Sequence, residues 1–217
     1  MIENATGIIL RTRPLTDTSL IVHWLTPDPG RLATVAKGAR RLKSPFRGQL
    51  DLFYVADFSF SRSQRSELHT LREASLRETH RVLREDMLKL RRATYAARFI
   101  EQATEIETPL PGVYALMRGF LDALGSQPPG PQAVLGFELK LLHELGLNPD
   151  LDQARLSGGA RQMARALLVK DWPESSRLRP TGAQMAELRQ FLHGFLIFHL
   201  GRLPPGRAGA VADSVHY

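Results

Sequence analysis

The sequence predicts an α+β chain: an N-terminal five-stranded OB-fold β-barrel followed by an all-helical domain. Three observations predict it. Apolar residues alternate with period two in short runs that end at Glu73. Turn signals, densest at Pro27-Asp28-Pro29-Gly30, separate those runs. After Ser75 the apolar spacing changes to three and four, over stretches rich in Leu, Ala, Arg and Glu.

The elements follow in order. Gly7 to Leu10 is a short apolar strand. Ser19 to Thr26 is the second, with Leu20, Val22 and Trp24 on one face and Ile21, His23 and Leu25 on the other. Leu32 to Ala36 is the third. Leu52 to Phe60 is the fourth; Leu52, Tyr54, Ala56, Phe58 and Phe60 face one way, Asp57 and Ser59 the other. A polar loop, Ser61 to Ser66, leads to the fifth, Glu67 to Glu73, which sets Leu68, Thr70 and Arg72 opposite His69 and Leu71. Short strands of this number lose their exposed edges most simply by closing. The OB barrel is the natural candidate, and strand counting leaves the SH3 type as the alternative.

The helices come next. Arg77 to Thr108 reads as one long helix, with Leu83, Met87, Leu90, Thr94, Ala97 and Glu101 in register, Tyr95 and Phe99 beside them, and Pro109 and Pro111 as the break. Gly112 to Leu124 places Leu116, Phe120 and Leu124 in line, and Gly125 to Gly130 ends it. Gln132 to Leu145 aligns Phe137, Leu141 and Leu145, with Gly146 as the stop. Asn148 to Arg161 is irregular. Gln162 to Val169 and Ala183 to Leu203 complete the set. The expected domains are 1–75, 76–205, and a frayed tail over 206–217 that is rich in Gly and Ala.

The 217 residues carry a net charge of +7, which favours an anionic partner: nucleic acid, anionic lipid or an acidic protein tail. The distribution of charge is more informative. Gly30 to Leu50 holds Arg31, Lys37, Arg40, Arg41, Lys43 and Arg47, and no acid; Asp28 and Asp51 flank it. Cations without neutralising neighbours gain most when an anion arrives, and Lys and Arg bind phosphates with release of counterions. Phe46 sits among them, either to stack on a base or to plug the barrel, and the plug is preferred. The alternative for the whole segment is a solvated charged loop. Lys89, Arg91, Arg92 and Arg98 are a candidate second basic surface, with ordinary helix-surface charge balanced by Glu85, Asp86 and Glu101 as the preferred reading.

Enzyme chemistry finds little footing. There are no cysteines, so disulfides, Cys-ligated zinc and a Cys nucleophile are excluded. The histidines, His23, His69, His80, His143, His193, His199 and His216, form no HExxH motif. No GxxxxGK[ST] loop is present, and Gly158-Gly159 lacks the context of a dinucleotide loop. Glu101, Glu105 and Asp86 read as a solvated helix face rather than metal ligands. The N-terminus has neither a basic n-region nor an apolar h-region, and no run approaches the roughly 20 apolar residues of a membrane span. A cytoplasmic, non-enzymatic protein is expected.

The stretch GIILRTRPLTDTSLIVHWLTPDPGRLATVAKGARR, Gly7 to Arg41, resembles the bacterial recombination mediator and DNA repair family RecO. Ser44 to Leu50, Arg84-Glu85-Asp86, Tyr95 to Glu101, and Phe198-His199-Leu200-Gly201 with Arg207 continue the resemblance. It implies an OB fold with a helical domain, binding of single- and double-stranded DNA, and annealing of complementary strands. It also implies help, with RecR, in loading RecA onto DNA coated by single-stranded-DNA-binding protein, through the acidic tail of that protein. It places the chain with the nucleoid. Lys37, Arg40 and Arg41 carry over as DNA-contacting; Arg31, Lys43 and Arg47 follow on charge and proximity. Many members of the family carry a four-cysteine zinc knuckle where this chain has Asn148 to Arg161. That stretch has no Cys, and His143, Asp150 and Asp152 are poor substitutes, so no metal or other cofactor is expected. Two further readings stand beside this one: a basic adaptor for proteins with acidic tails, and a metal-dependent enzyme acting on nucleic acid.

Overall fold

The computed structural model describes residues 1–126 and 130–212. Part of the expected Gly125–Gly130 stop, and His216 with the end of the expected tail, lie outside the described residues. The chain divides into two compact units. The first comprises Met1–Arg81 with Thr104–Arg118; the second comprises Val82–Ala103 and Gly119 onward.

The first unit contains β1 (Ile2–Pro14), β2 (Leu20–Leu25), β3 (Arg31–Ala36), β4 (Val55–Ser61) and β5 (Leu68–Glu78). The expected five strands followed by helices are therefore present. The strands pair in the order β1-β2-β3-β5-β4, and β4 returns to β1, which closes the sheet. All pairings are antiparallel except β3 with β5, where Ala33, Thr34 and Val35 lie beside Leu68, His69 and Thr70. β1 is much longer than the run Gly7 to Leu10 because it serves two neighbours. Ile2 to Ile8 pair with β4, Ile8 to Pro14 pair with β2, and the register shifts between Ile9 and Arg11.

The inner face follows the alternation. Ile9, Val22, Trp24, Leu32, Ala36, Ala56, Phe58, Phe60 and Leu71 form one buried cluster, joined by Phe46. Trp24 stacks on Phe58 with ring centroids 4.0 Å apart. Its indole N–H donates to Thr34 Oγ1 at 2.9 Å, so the one polar atom of a fully buried ring is satisfied.

Helical propensity loses to tertiary pairing after Ser75. The single helix expected over Arg77 to Thr108 is not formed. β5 continues to Glu78 because Ser75, Leu76 and Glu78 pair with Asp57, Ala56 and Val55, and Arg77 Nε donates to Asp57 Oδ2 at 2.5 Å. A 3-10 turn spans Arg81–Arg84, and α1 covers Met87–Ala103. Thr104 to Arg118 then fold with the sheet, so the expected boundary at residue 75 falls inside a strand. Glu107 N–H donates to Arg31 O at 2.8 Å, and Leu110 N–H donates to Pro27 O at 3.0 Å. His69 accepts from Ser63 N–H on Nδ1 at 3.2 Å, which leaves Nε2–H to donate to Glu107 Oε1 at 2.5 Å. Arg62 joins Glu107 at 2.6 Å to Glu3 at 2.7 Å. The Arg62 guanidinium, by hydrogen-bonding Glu3, holds that carboxyl below the usual range.

The second unit is helical. α2 (Pro111–Ser126), which starts in the first unit, continues into it. α3 (Gln132–Glu144), α4 (Gly158–Val169), α5 (Trp172–Ser176), α6 (Gly182–Leu200) and α7 (Arg207–Ala210) follow. α1 buries Arg92, Tyr95, Ala96, Phe99 and Ile100. Ala97 of the expected line is buried with them, as Tyr95 and Phe99 beside it are, while Leu90, Thr94 and Glu101 are half-buried and Met87 is exposed. α4 begins at Gly158, inside the stretch expected to be irregular, because the Ser157 side chain accepts from Ala160 N–H and caps it. α6 opens on a capping box of Thr181 and Gln184. It stops at Gly201, whose φ of 72° ends the helix before the expected Leu203. Residues 207–210, expected to fray, are helical. The reason is Arg207: its Nε donates to Glu138 Oε1 at 2.7 Å, and Tyr95 Oη donates to the same carboxylate at 2.5 Å, with all three side chains buried. Burial, reinforced by the Glu138 charge, pushes the Tyr95 hydroxyl well above its ordinary range. No helix among the described residues is long and apolar enough to cross a membrane.

Gly30 is packed closely against the Thr108 backbone. Its φ is +92°, and a Cβ there would lie 1.7 Å from the Thr108 carbonyl oxygen. Thr26 N–H and Oγ1–H both donate to its carbonyl, at 3.0 and 2.8 Å. Gly30→Ala should therefore combine backbone strain with displacement of the Thr104–Arg118 segment. The expected loss is about 3 kcal/mol or more in denaturant unfolding; a loss below about 1 kcal/mol would contradict the packing described.

Candidate nucleic-acid interface

Residues 37–54 connect β3 to β4. They form no strand or helix, yet their backbone is ordered by a series of turns. Ala39, Arg41, Ser44, Arg47 and Gln49 N–H donate to Ala36, Gly38, Arg41, Ser44 and Phe46 O respectively, at 3.0–3.3 Å. Gly38 and Gly48 adopt positive φ, 70° and 73°, where a glycine costs least.

Three anchors hold this connector to the sheet. Arg40 N–H donates to Thr18 O at 3.0 Å, and Arg40 Nη1 donates to Thr16 O at 3.2 Å, both in the turn between β1 and β2. Phe46 is 7% exposed within the core cluster. At the far end, Phe53 N–H donates to Ile9 O at 2.8 Å and Ile9 N–H to Tyr54 O at 2.9 Å. Phe46 is thus a core residue, the plug preferred over base stacking, despite its position among charges.

Lys37, Arg40, Arg41, Lys43 and Arg47 are exposed on this connector. None makes an ion pair with a carboxylate among the described residues. Arg47 Nη1 donates to Leu42 O at 3.4 Å, which leaves most of its donors facing water. The structure thus brings five of the six expected cations onto one connector. Arg31 stands apart. It lies at the start of β3, half-buried, and its Nε donates to Thr104 Oγ1 at 2.7 Å while Nη2 donates to the Thr104 carbonyl. Its guanidinium ties the chain to itself.

The second basic cluster is not a single surface. Arg92 is 1% exposed; its Nε donates to Ala210 O at 3.1 Å and Nη2 to Ala212 O at 3.2 Å. It caps the end of α7, where orphan carbonyls and the helix dipole favour a cation. Lys89 is half-buried, with Nζ 3.4 Å from Gly125 O. Only Arg91 and Arg98 of the four are exposed.

Two cations on the sheet were missed by the sequence reading, which ended the first strand at Leu10. Arg11 and Arg13 are exposed on β1, opposite His23 and Ile21 of β2. Their i, i+2 spacing was the available signal, because alternate strand residues share a face. His23 Nε2 lies buried without a hydrogen-bond partner among the described residues. Burial, and then the charges of Arg11, Arg13 and Arg31, lower its pKa from the ordinary 6.5 to about 4. His23 is therefore neutral at pH 7 and adds nothing to the positive field.

A cleft of about 720 Å³ opens beside the connector, lined in part by Pro45, Phe46, Gln49, Asn4, Asp57 and Glu73. Its one cation, Arg72, donates to Ser61 Oγ at 2.8 Å, and the lining also carries the carboxylates of Asp57 and Glu73. The Asp57 carboxyl, hydrogen-bonded by Thr6 and then by Arg77, is held below its usual range. The cleft offers a phosphate no net positive charge; the connector does.

Comparison with known proteins matches two segments of the chain to one family. Residues 1–80 match the family described as Recombination protein O N terminal, and residues 84–158 match Recombination protein O C terminal. The DNA repair protein RecO of Rhodopirellula baltica is 30% identical over 159 residues, which cover 73% of this chain and 59% of that protein. The DNA repair protein RecO of Symbiobacterium thermophilum is 35% identical over 150 residues, covering 68% and 58% respectively. That of Bacillus pumilus is 29% identical over 153 residues, covering 70% and 59%. The chain thus spans about three fifths of the length of the curated relatives it matches.

The His23 environment has a direct readout. Its folded pKa lies below 6.5, so folding excludes a proton. The stability that His23 contributes is complete above pH 6.5 and is lost as pH falls toward about 4. An NMR titration of the His23 ring should show a midpoint near pH 4, and Arg11→Ala/Arg13→Ala should move it upward. A midpoint near 6.5 in the unaltered chain would contradict the burial described.

Proposed function

The chain belongs to the recombination protein O family, and from that premise we propose that it is a DNA repair and recombination mediator. On this reading its connector 37–54 binds the phosphate backbone of single- and double-stranded DNA. The observation that carries the proposal is the set of exposed cations Lys37, Arg40, Arg41, Lys43 and Arg47, free of carboxylates and held on a backbone that Phe46 pins to the core. We assign the closed sheet to the OB type, supported by the order β1-β2-β3-β5-β4 and the parallel β3–β5 pairing. That barrel type binds oligonucleotides elsewhere.

The mechanism needs no catalytic residue, metal or cofactor from this chain. Two strands repel through their phosphates. A row of cations lowers that repulsion and lets complementary bases meet, which is annealing. Membership of the family supports the further reading that the chain acts with RecR to help load RecA onto single strands coated by single-stranded-DNA-binding protein, in the cytoplasm and at the nucleoid. The same cations would suit acidic protein tails, and salt dependence on DNA separates the two readings.

Counterion release gives a logarithmic salt slope of about −0.7 per single-strand phosphate neutralised. Lys37→Ala/Arg40→Ala/Arg41→Ala should weaken binding to a single-stranded oligonucleotide at every salt concentration. It should also make the slope shallower by about 2. These side chains are exposed, and the one anchoring bond lost, Arg40 Nη1 to Thr16 O, is itself open to water, so the unfolding midpoint should fall only slightly. Unchanged affinity and slope would place the DNA site elsewhere.

A further inference from the structure

Leu42 is 84% exposed, and it stands inside the basic connector between Arg41 and Lys43. Its backbone is held rather than free. Arg41 N–H donates to Gly38 O and Ser44 N–H donates to Arg41 O, each at 3.0 Å, and Arg47 Nη1 reaches the Leu42 carbonyl. The connector's other large apolar group close by, Phe46, takes the opposite course and is buried. A single exposed leucine is ordinary on a protein surface. One presented on an ordered turn, with unpaired cations on both sides, is placed where a nucleic acid brings its own apolar surface, the faces of its bases.

From this placement we infer that Leu42 is a wedge that enters a base step of the DNA strand held by Arg40, Arg41 and Lys43. The inference rests on the proposal that the connector binds DNA. The cations fix phosphates on either side of the step, and the leucine separates the two bases and gains burial that water denies it. In a mediator of annealing, a strand unstacked at one step turns its base edges toward a complement.

The test uses the full chain and a single-stranded oligodeoxyadenylate carrying one 2-aminopurine, whose fluorescence rises when it leaves the stack. The expected result is a rise on binding by the unaltered chain, lost in Leu42→Ser and kept in Leu42→Met. Affinity should fall about tenfold in Leu42→Ser, with the salt slope unchanged because no charge is removed. Binding without a fluorescence rise, or a Leu42→Ser variant that matches the unaltered chain, overturns the wedge and leaves the DNA reading standing. Failure of the unaltered chain to bind at all overturns the DNA reading itself and the wedge with it.

Discussion

Phe46 lies in the middle of a run of like charges and is buried in the same cluster as Trp24, Phe58 and Phe60. Its burial is the constraint that turns residues 37–54 from a charged loop into a surface. Two unit charges about 10 Å apart in water repel by about 0.4 kcal/mol before salt screens them. Burying a phenylalanine side chain contributes about 1.5–3 kcal/mol. One buried ring therefore offsets several such repulsions and holds the cations together without acids among them. The turns from Ala36 to Gln49 and the Arg40 contacts to Thr16 and Thr18 distribute that anchoring along the backbone. The cations are consequently presented before any anion arrives, which lowers the ordering cost of binding.

The remaining arginines show why net charge alone is a poor guide. Arg31, Arg62, Arg92 and Arg207 all serve the fold. Arg31 and Arg62 hold Thr104 and Glu107, and with them the segment that returns to the sheet. Arg92 caps α7, and Arg207 pairs with Glu138 in the interior. For Arg207, burial opposes the charge and the Glu138 carboxylate more than restores it. The cations left for a partner are those that no carbonyl cluster or carboxylate of the chain has claimed, and on the first unit most of them lie on one connector.

Much of the sheet and the core of the site were readable from residue order. Apolar runs, alternation and turn signals located part of each of the five strands, and the absence of acids around Lys37 to Arg47 marked the connector's cations. Phe46 was readable as a plug because an aromatic ring between strands has more to gain from the core than from water. What was not readable depended on distant partners. Arg77 and Glu78 have helix-compatible neighbours, but pairing with β4 holds them in a strand. Nothing near Arg92 in sequence announces Ala210 and Ala212 as its acceptors, and nothing near Arg207 announces Glu138. Arg31 joins Lys43 and Arg47 on charge and proximity alone, because nothing near it in sequence announces Thr104 as its acceptor.

The central claim is that DNA lies along the 37–54 connector. The most direct measurement is a map of backbone amide chemical shifts on adding a short single-stranded oligothymidylate to the isotope-labelled chain. The account predicts the largest changes between Lys37 and Gln49, with the changes fading as salt is raised. Changes confined to α1 around Arg91 and Arg98, or to the acidic-lined cleft at Asp57 and Glu73, with the connector unmoved, would contradict it.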